Sequence, residues 1–210
     1  METLQNTDRL LLAGVAAALL FFVVPTIEIF RRPGFDLERH AISMLSLGDG
    51  GWIMKTVFAV SGILTLAAAL GFHNNLPAGW AAILAAVLIG AYGVGLIVAG
   101  IYDAPAGLGF PAGTPIDQQP VMTREANLHG LGFMIAFGGL IAACFVFAAL
   151  FWQSGGILGM AFSLLAGIAM PALVVLGMSG KIAPGIAFYW AAMLGWAWLA
   201  FAALNPPAAA

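Results

Sequence analysis

Charge is what this sequence has least of. Charged side chains make up 8% of its 210 residues, against 62% hydrophobic ones, where a soluble domain carries roughly 25% charge. So few ionic groups cannot solvate a surface of this size. Together with a mean hydropathy of +1.03, this excludes a water-soluble globular class and turns most of the surface toward lipid. A net charge of −2 leaves no basic footprint for nucleic acid. Cysteine is down to one copy, Cys144, set in an apolar run. No intrachain disulfide can form, and cysteine usage is silent on redox compartment.

Other absences narrow the class further. The apolar runs show no period of two, which excludes the alternating strands of a membrane barrel. No internal repeat is visible, so an inverted-repeat transporter gains no support. The first apolar run, LLLAGVAAALLFFVVP after Arg9, is longer than a signal-peptide core. No A-x-A-like site follows it before Glu28 and Arg31, so it reads as a retained first helix.

What is present is a set of long apolar segments. Six stretches reach the roughly 20 residues needed to cross a hydrocarbon core, at about 10–27, 52–72, 79–102, 128–152, 156–178 and 184–204. The expected fold is an all-α membrane protein, a six-transmembrane-helix bundle forming a single domain over residues 1–210. The 27 glycines fit, because small residues let membrane helices approach closely. Pro171 falls inside the fifth segment and predicts a kink there.

The connections are unequal. Loops 2, 4 and 5 are a few residues each, whereas loops 1 and 3 are long and hold nearly all the polar chemistry. Two spans separate these two loops, so both open on the same side. Arg31, Arg32, Arg39, Lys55, Arg124 and Lys181 lie on that side and only Arg9 on the other. The positive-inside rule then places loops 1 and 3 in the cytoplasm.

Loop 1 carries ERHAISMLSLGDGGW. Residues 36–47 can form a short interfacial helix ending at Gly48, with Asp36, Arg39, His40 and Ser43 within one arc of about 100°. Loop 3 runs from GIYDAP through FPAGTP to TREANLHG. Asp103 follows a helix with Ala86, Gly90, Gly93 and Gly100 along one face. His129 shares a face with Gly132, Ala136, Gly139 and Ala143, a face suited to close packing, so His129 should point into the bundle.

Several chemistries fit these residue types. His40, Asp103 and His129 have the donors of a metal site, though without close ligand spacing. Ser43, His129 and Asp103 have the types of a nucleophile, base and orienting carboxylate, but no G-x-S-x-G elbow is present. Arg39, with Lys55 or Arg124, has the charge to hold the phosphate or carboxylate of a lipid head group, with His40, Ser43, Asp103 and His129 orienting the ligand or acting on it. A purely structural explanation stands beside all three, since long loops need polar residues for caps and ion pairs. His73 reads as a polar helix end, Glu28 as snorkelling or paired beside Arg31 and Arg32, and Trp80 and Trp152 as belt residues. The last helix, FYWAAMLGWAWLAF, offers Trp190, Trp196 and Trp198 as a docking face for another membrane subunit, the alternative in which the chain is a non-catalytic accessory protein. No cofactor is specified; membrane lipids are the expected partners.

The stretches RHAISMLSLGDGGWIMKTVFAVSGIL, GIYDAP, FPAGTP and LHGLGFMIAF resemble the prokaryotic integral-membrane family called domain of unknown function 998. The resemblance spans most of the chain and is weakest in the last two helices. It implies six helices, a serine-bearing segment before helix two, an acidic residue after helix three and a histidine opening helix four. Arg39, His40, Ser43, Trp52, Asp103, Pro111 and His129 would be its characteristic positions. It implies a multi-pass protein of the cell (inner) membrane and no particular activity.

Overall fold

The computed structural model describes the backbone of residues 2–208 and the side chains from residue 9 onward. Six α-helices follow one another: α1 (Glu2–Arg31), α2 (Gly51–Asn75), α3 (Trp80–Ile101), α4 (Arg124–Gln153), α5 (Ile157–Met178) and α6 (Pro184–Leu204), with a 3-10 turn at Ile42–Ser46 between α1 and α2. All six are long and apolar enough to cross a membrane, α1 from Arg9 onward. The chain is a multi-pass membrane protein. The expected segments coincide with the helices to within a few residues. The exceptions are α1, which continues past Pro25 to Arg31, and α4, which begins at Arg124.

Each helix packs on its predecessor, and α6 closes back on α1, so the six form a ring. Along α1, buried Leu11, Gly14, Ala17, Phe21, Pro25 and Glu28 recur every three or four residues, while Leu12, Leu19, Val23, Ile27 and Phe30 form an exposed apolar stripe. That is the pattern of a helix with one face on its neighbours and one on lipid. In lipid, association rests on close packing rather than on escape from water. Glycine supplies the closeness where α3 meets α4. A Cβ on Gly95 would press into the Gly132 carbonyl and come within 2.8 Å of the Ala136 Cα.

Aromatic side chains meet inside the ring. Trp196 stacks on Phe21 (5.1 Å between centroids) and lies 5.0 Å from Tyr92, and Phe21 meets Phe58 edge-on at 5.5 Å. Deeper toward the other end, Phe147 contacts Phe72 at 4.9 Å and Trp198 at 5.3 Å, and the Trp198 Nε1–H donates to the Ser163 hydroxyl at 2.9 Å. This corrects the docking face expected on the last helix. Trp196 and Trp198 are both 0% exposed and form the core of their own chain, and of the three only Trp190 is on the surface. The physical reason is register: Ala191, Ala192, Gly195, Leu199 and Ala202 are buried with them on the face that α6 turns inward.

Candidate functional site

Loops 1 and 3 fold over the same end of the ring. Asp36 begins a turn in which its carbonyl accepts the amides of Arg39 and His40 (3.0 and 2.8 Å). The 3-10 turn then runs only from Ile42 to Ser46, shorter than the 36–47 helix expected, and it seats Ile42, Met44, Leu45 and Ser46 in the interior. The difference follows from packing. An amphipathic helix would leave one polar face exposed, but here the turn is held against α1, α2 and α6. At α6 the room comes from Gly185, where a Cβ would strike the carbonyls of Leu37 and His40.

A clasp joins the two loops. Arg32 donates from Nη1 to the Leu45 carbonyl (3.0 Å) and from Nη2 to that of Leu47, two acceptors at the end of the 3-10 turn that would otherwise lack partners. Its guanidinium also lies 5.4 Å over the Phe110 ring of loop 3. His40, 1% exposed, uses both ring nitrogens. The Asp36 amide donates to Nδ1 at 2.9 Å, so the proton sits on Nε2, which faces the Leu108 carbonyl at 2.9 Å and donates to it. Phe35 and Phe110 flank the imidazole at 5.3 and 5.4 Å. Loop 3 holds its shape through its own backbone, with Leu108 N–H to Gln118 O at 2.7 Å and Val121 N–H to Ala106 O at 3.0 Å.

Three ion pairs form near this end among the described residues. Lys55 at the start of α2 meets Asp103 after α3 at 2.6 Å, and Arg39 pairs with Asp36 at 3.2 Å. Arg31 pairs with Glu28 at 2.8 Å, one of the two readings that the sequence allowed for Glu28.

His129 is different. It stands in the second turn of α4, after the Thr123 side chain caps the helix by accepting the Ala126 amide at 3.1 Å. Its Nδ1 lies 3.0 Å from the Ala99 carbonyl and 3.1 Å from that of Tyr102. Both partners are acceptors, so Nδ1 carries the proton and ties α4 to the last turn of α3. Nε2 is left without a partner among the described residues, yet it is not one of the unpartnered atoms sealed from solvent.

With Nδ1 committed, Nε2 is the nitrogen that His129 can offer to the half-open cavity of about 210 Å³ that it lines among the helices. Phe21 of α1, Phe58 of α2, Tyr92 and Leu96 of α3, Phe133 and Phe137 of α4, and Phe188 and Trp196 of α6 form its walls. Ala41, Ile42 and Ser43 cover its loop end. Counting residues at about 1.5 Å of rise each, Trp196 lies roughly 18 Å along α6 from Pro184, so the cavity reaches from the loop end toward the middle of the bundle.

Of the candidate residues, then, Ser43 and His129 border one cavity. Asp103 and Arg124 border a separate cleft on the outer surface with Thr123 and Glu125. Arg39 is exposed and borders neither. A Ser43–His129–Asp103 relay does not form, because the Nδ1 position a carboxylate would take is filled by two carbonyls and Asp103 is engaged by Lys55. His40, Asp103 and His129 do not form a metal-binding group either. None occurs among the described residues, and both nitrogens of His40 are already committed. The sequence reading missed Arg32, Tyr92, Phe110 and Trp196 as parts of this region. Register could have placed Tyr92 and Trp196 inward, whereas nothing local marks the contact of Arg32 with Phe110.

No curated protein and no solved structure matches the chain. A family model described as "Protein of unknown function (DUF998)" matches residues 15–205, from within α1 to the residue after α6. The chain belongs to that family.

Proposed function

We propose that this protein binds a membrane amphiphile, with the apolar part of the ligand in the cavity inside the ring and its polar group at the Ser43 and His129 end. The observation that supports this reading is the cavity: about 210 Å³, walled by aromatic and aliphatic side chains, with a histidine nitrogen left free at its polar end. An apolar cavity of roughly 150 Å³ is known to accept a benzene-sized molecule. This one therefore has room for a ring or a short run of methylenes. Apolar pockets with a few placed polar groups are the usual form of a small-molecule site.

In this reading Asp103 and Lys55 brace the helix ends and His40 and Arg32 hold the cover in place, while Arg39 and Arg124 lie away from the cavity. The protein sits in the cell membrane with loops 1 and 3 on the cytoplasmic side, where the excess of lysine and arginine lies.

Mass spectrometry of the gently purified protein, native and then denatured, tests the reading together with a variant that fills the cavity, Ala192→Phe. The expected result is a stoichiometric small amphiphile on the wild type that is lost from Ala192→Phe while the variant stays monodisperse. Equal retention by both proteins would refute a ligand in the cavity. A reproducible partner chain and no small molecule would point to the accessory-subunit role instead.

A further inference from the structure

Resting on that reading, we infer that the ligand's polar group is a neutral hydrogen-bond donor, so that the cavity is selective for hydroxyl-bearing amphiphiles, such as long-chain alcohols and acylglycerols, over fatty-acid anions and amines. The ground is what the cavity offers at its polar end. His129 spends its Nδ1 proton on the Ala99 and Tyr102 carbonyls and presents Nε2 as a lone pair. A lone pair in an apolar site is satisfied by an O–H or N–H and by nothing that only accepts.

Charge balance excludes the ionic alternatives. Among the described residues, no Lys, Arg, Asp or Glu lines the cavity. A carboxylate or phosphate placed beside Nε2 would meet a second acceptor with no cation to offset its desolvation, and an ammonium would have no counter-charge. Ser43 and Tyr92, both hydroxyl-bearing, also line the cavity. Neither makes a side-chain hydrogen bond to another described residue, so both are free to take the oxygen of the ligand's hydroxyl. A hydroxyl group, donor and acceptor at once, matches this set, whereas its methyl ether matches only half of it.

The test uses the whole protein in phosphatidylcholine nanodiscs, a lipid with no hydrogen-bond donor of its own. Three probes share one chain: 1-decanol, decyl methyl ether and sodium decanoate. Bound copies are counted by native mass spectrometry against the mole fraction of probe in the disc. Decanol is expected to bind about tenfold more tightly than the ether, the ratio for one buried hydrogen bond left unmade, and decanoate no better than the ether. His129→Ala should bring decanol down to the ether. If that variant does not fold, the wild-type series decides alone.

Equal binding of decanol and ether, or decanoate binding as tightly as decanol, would overturn the selectivity while leaving an amphiphile site in place. Binding of none of the three would remove the site itself, and the selectivity with it.

Discussion

At one end of the bundle the helices are joined by residues 76–79 and 154–156, connections that leave His73, Trp80 and Trp152 exposed. At the other end residues 32–50 and 102–123 fold back across the helix ends and bury His40, Leu45 and Phe110. Short turns suffice to link antiparallel helices, so the long loops are not needed for topology. An ordered loop must satisfy its own backbone and the ends of the helices it covers. Here Arg32 and the His40 imidazole do that work, and a small satellite core of Met44, Leu47, Ala104 and Phe110 packs the loops together. The long-loop end is thus a folded cover, and the apolar cavity lined by His129 and Trp196 lies beneath it.

The two buried histidines repeat this contrast at the scale of one ring. His40 is saturated, both nitrogens bonded within the loops, which marks it as a fastener. His129 is half saturated, bonded to α3 on one side and free on the cavity side. In the sequence both stand as candidate ligand-binding residues at the loop 1 and loop 3 end. Only their partners separate them.

Four substitutions bear on this difference, with effects of decreasing size. The largest is expected from Gly95→Leu, which would wedge α3 from α4 at backbone level and cost about 3 kcal/mol or more. It should appear as loss of monodisperse protein at either end alike. Next comes His40→Ala. It leaves the Leu108 carbonyl and the Asp36 amide without their partner, at about 1–3 kcal/mol for a buried group. Hydrogen exchange should rise over residues 36–47 and 106–120 and stay unchanged in the short turns. Uniform loosening of the whole bundle would mean that the cover is not a separate unit.

Asp103→Asn should do less. The Lys55–Asp103 pair is more than a third exposed on its acidic side, and exposed pairs contribute at most about 1 kcal/mol. A shift of the thermal midpoint by only a degree or two is expected, and amphiphile retention should be intact. Smallest is Trp190→Ala on the lipid face, expected to change stability by less than about 0.5 kcal/mol. A large loss of stability on removing Trp190 would mean that its exposed face is covered in the membrane by another chain.

Much of this was readable in advance, for definable reasons. The helices follow from hydropathy, and the inward turn of His129 from its spacing with Gly132, Ala136, Gly139 and Ala143, all buried as expected. The pairing of loops 1 and 3 follows from counting spans. The extent of the loop 1 helix and the docking face on α6 did not come out as read. In both cases helical periodicity identified a stripe but not what it faces. Trp196 and Trp198 belong on an aromatic stripe whether its neighbour is lipid, a partner or their own core. The His40–Leu108 bond involves a main-chain carbonyl, which leaves no trace in the identity of residue 108.

The arrangement of the tryptophans has an optical consequence. Trp52, Trp80, Trp152 and Trp190 are each more than half exposed, whereas Trp196 and Trp198 are wholly enclosed. Brominated lipids in the surrounding bilayer should therefore quench the outer four and leave an emission that comes from the inner two. Trp196, on the cavity wall between Phe21 and Tyr92, would colour that residual light according to whether the cavity is filled. The protein carries its own indicator of occupancy, readable without a label.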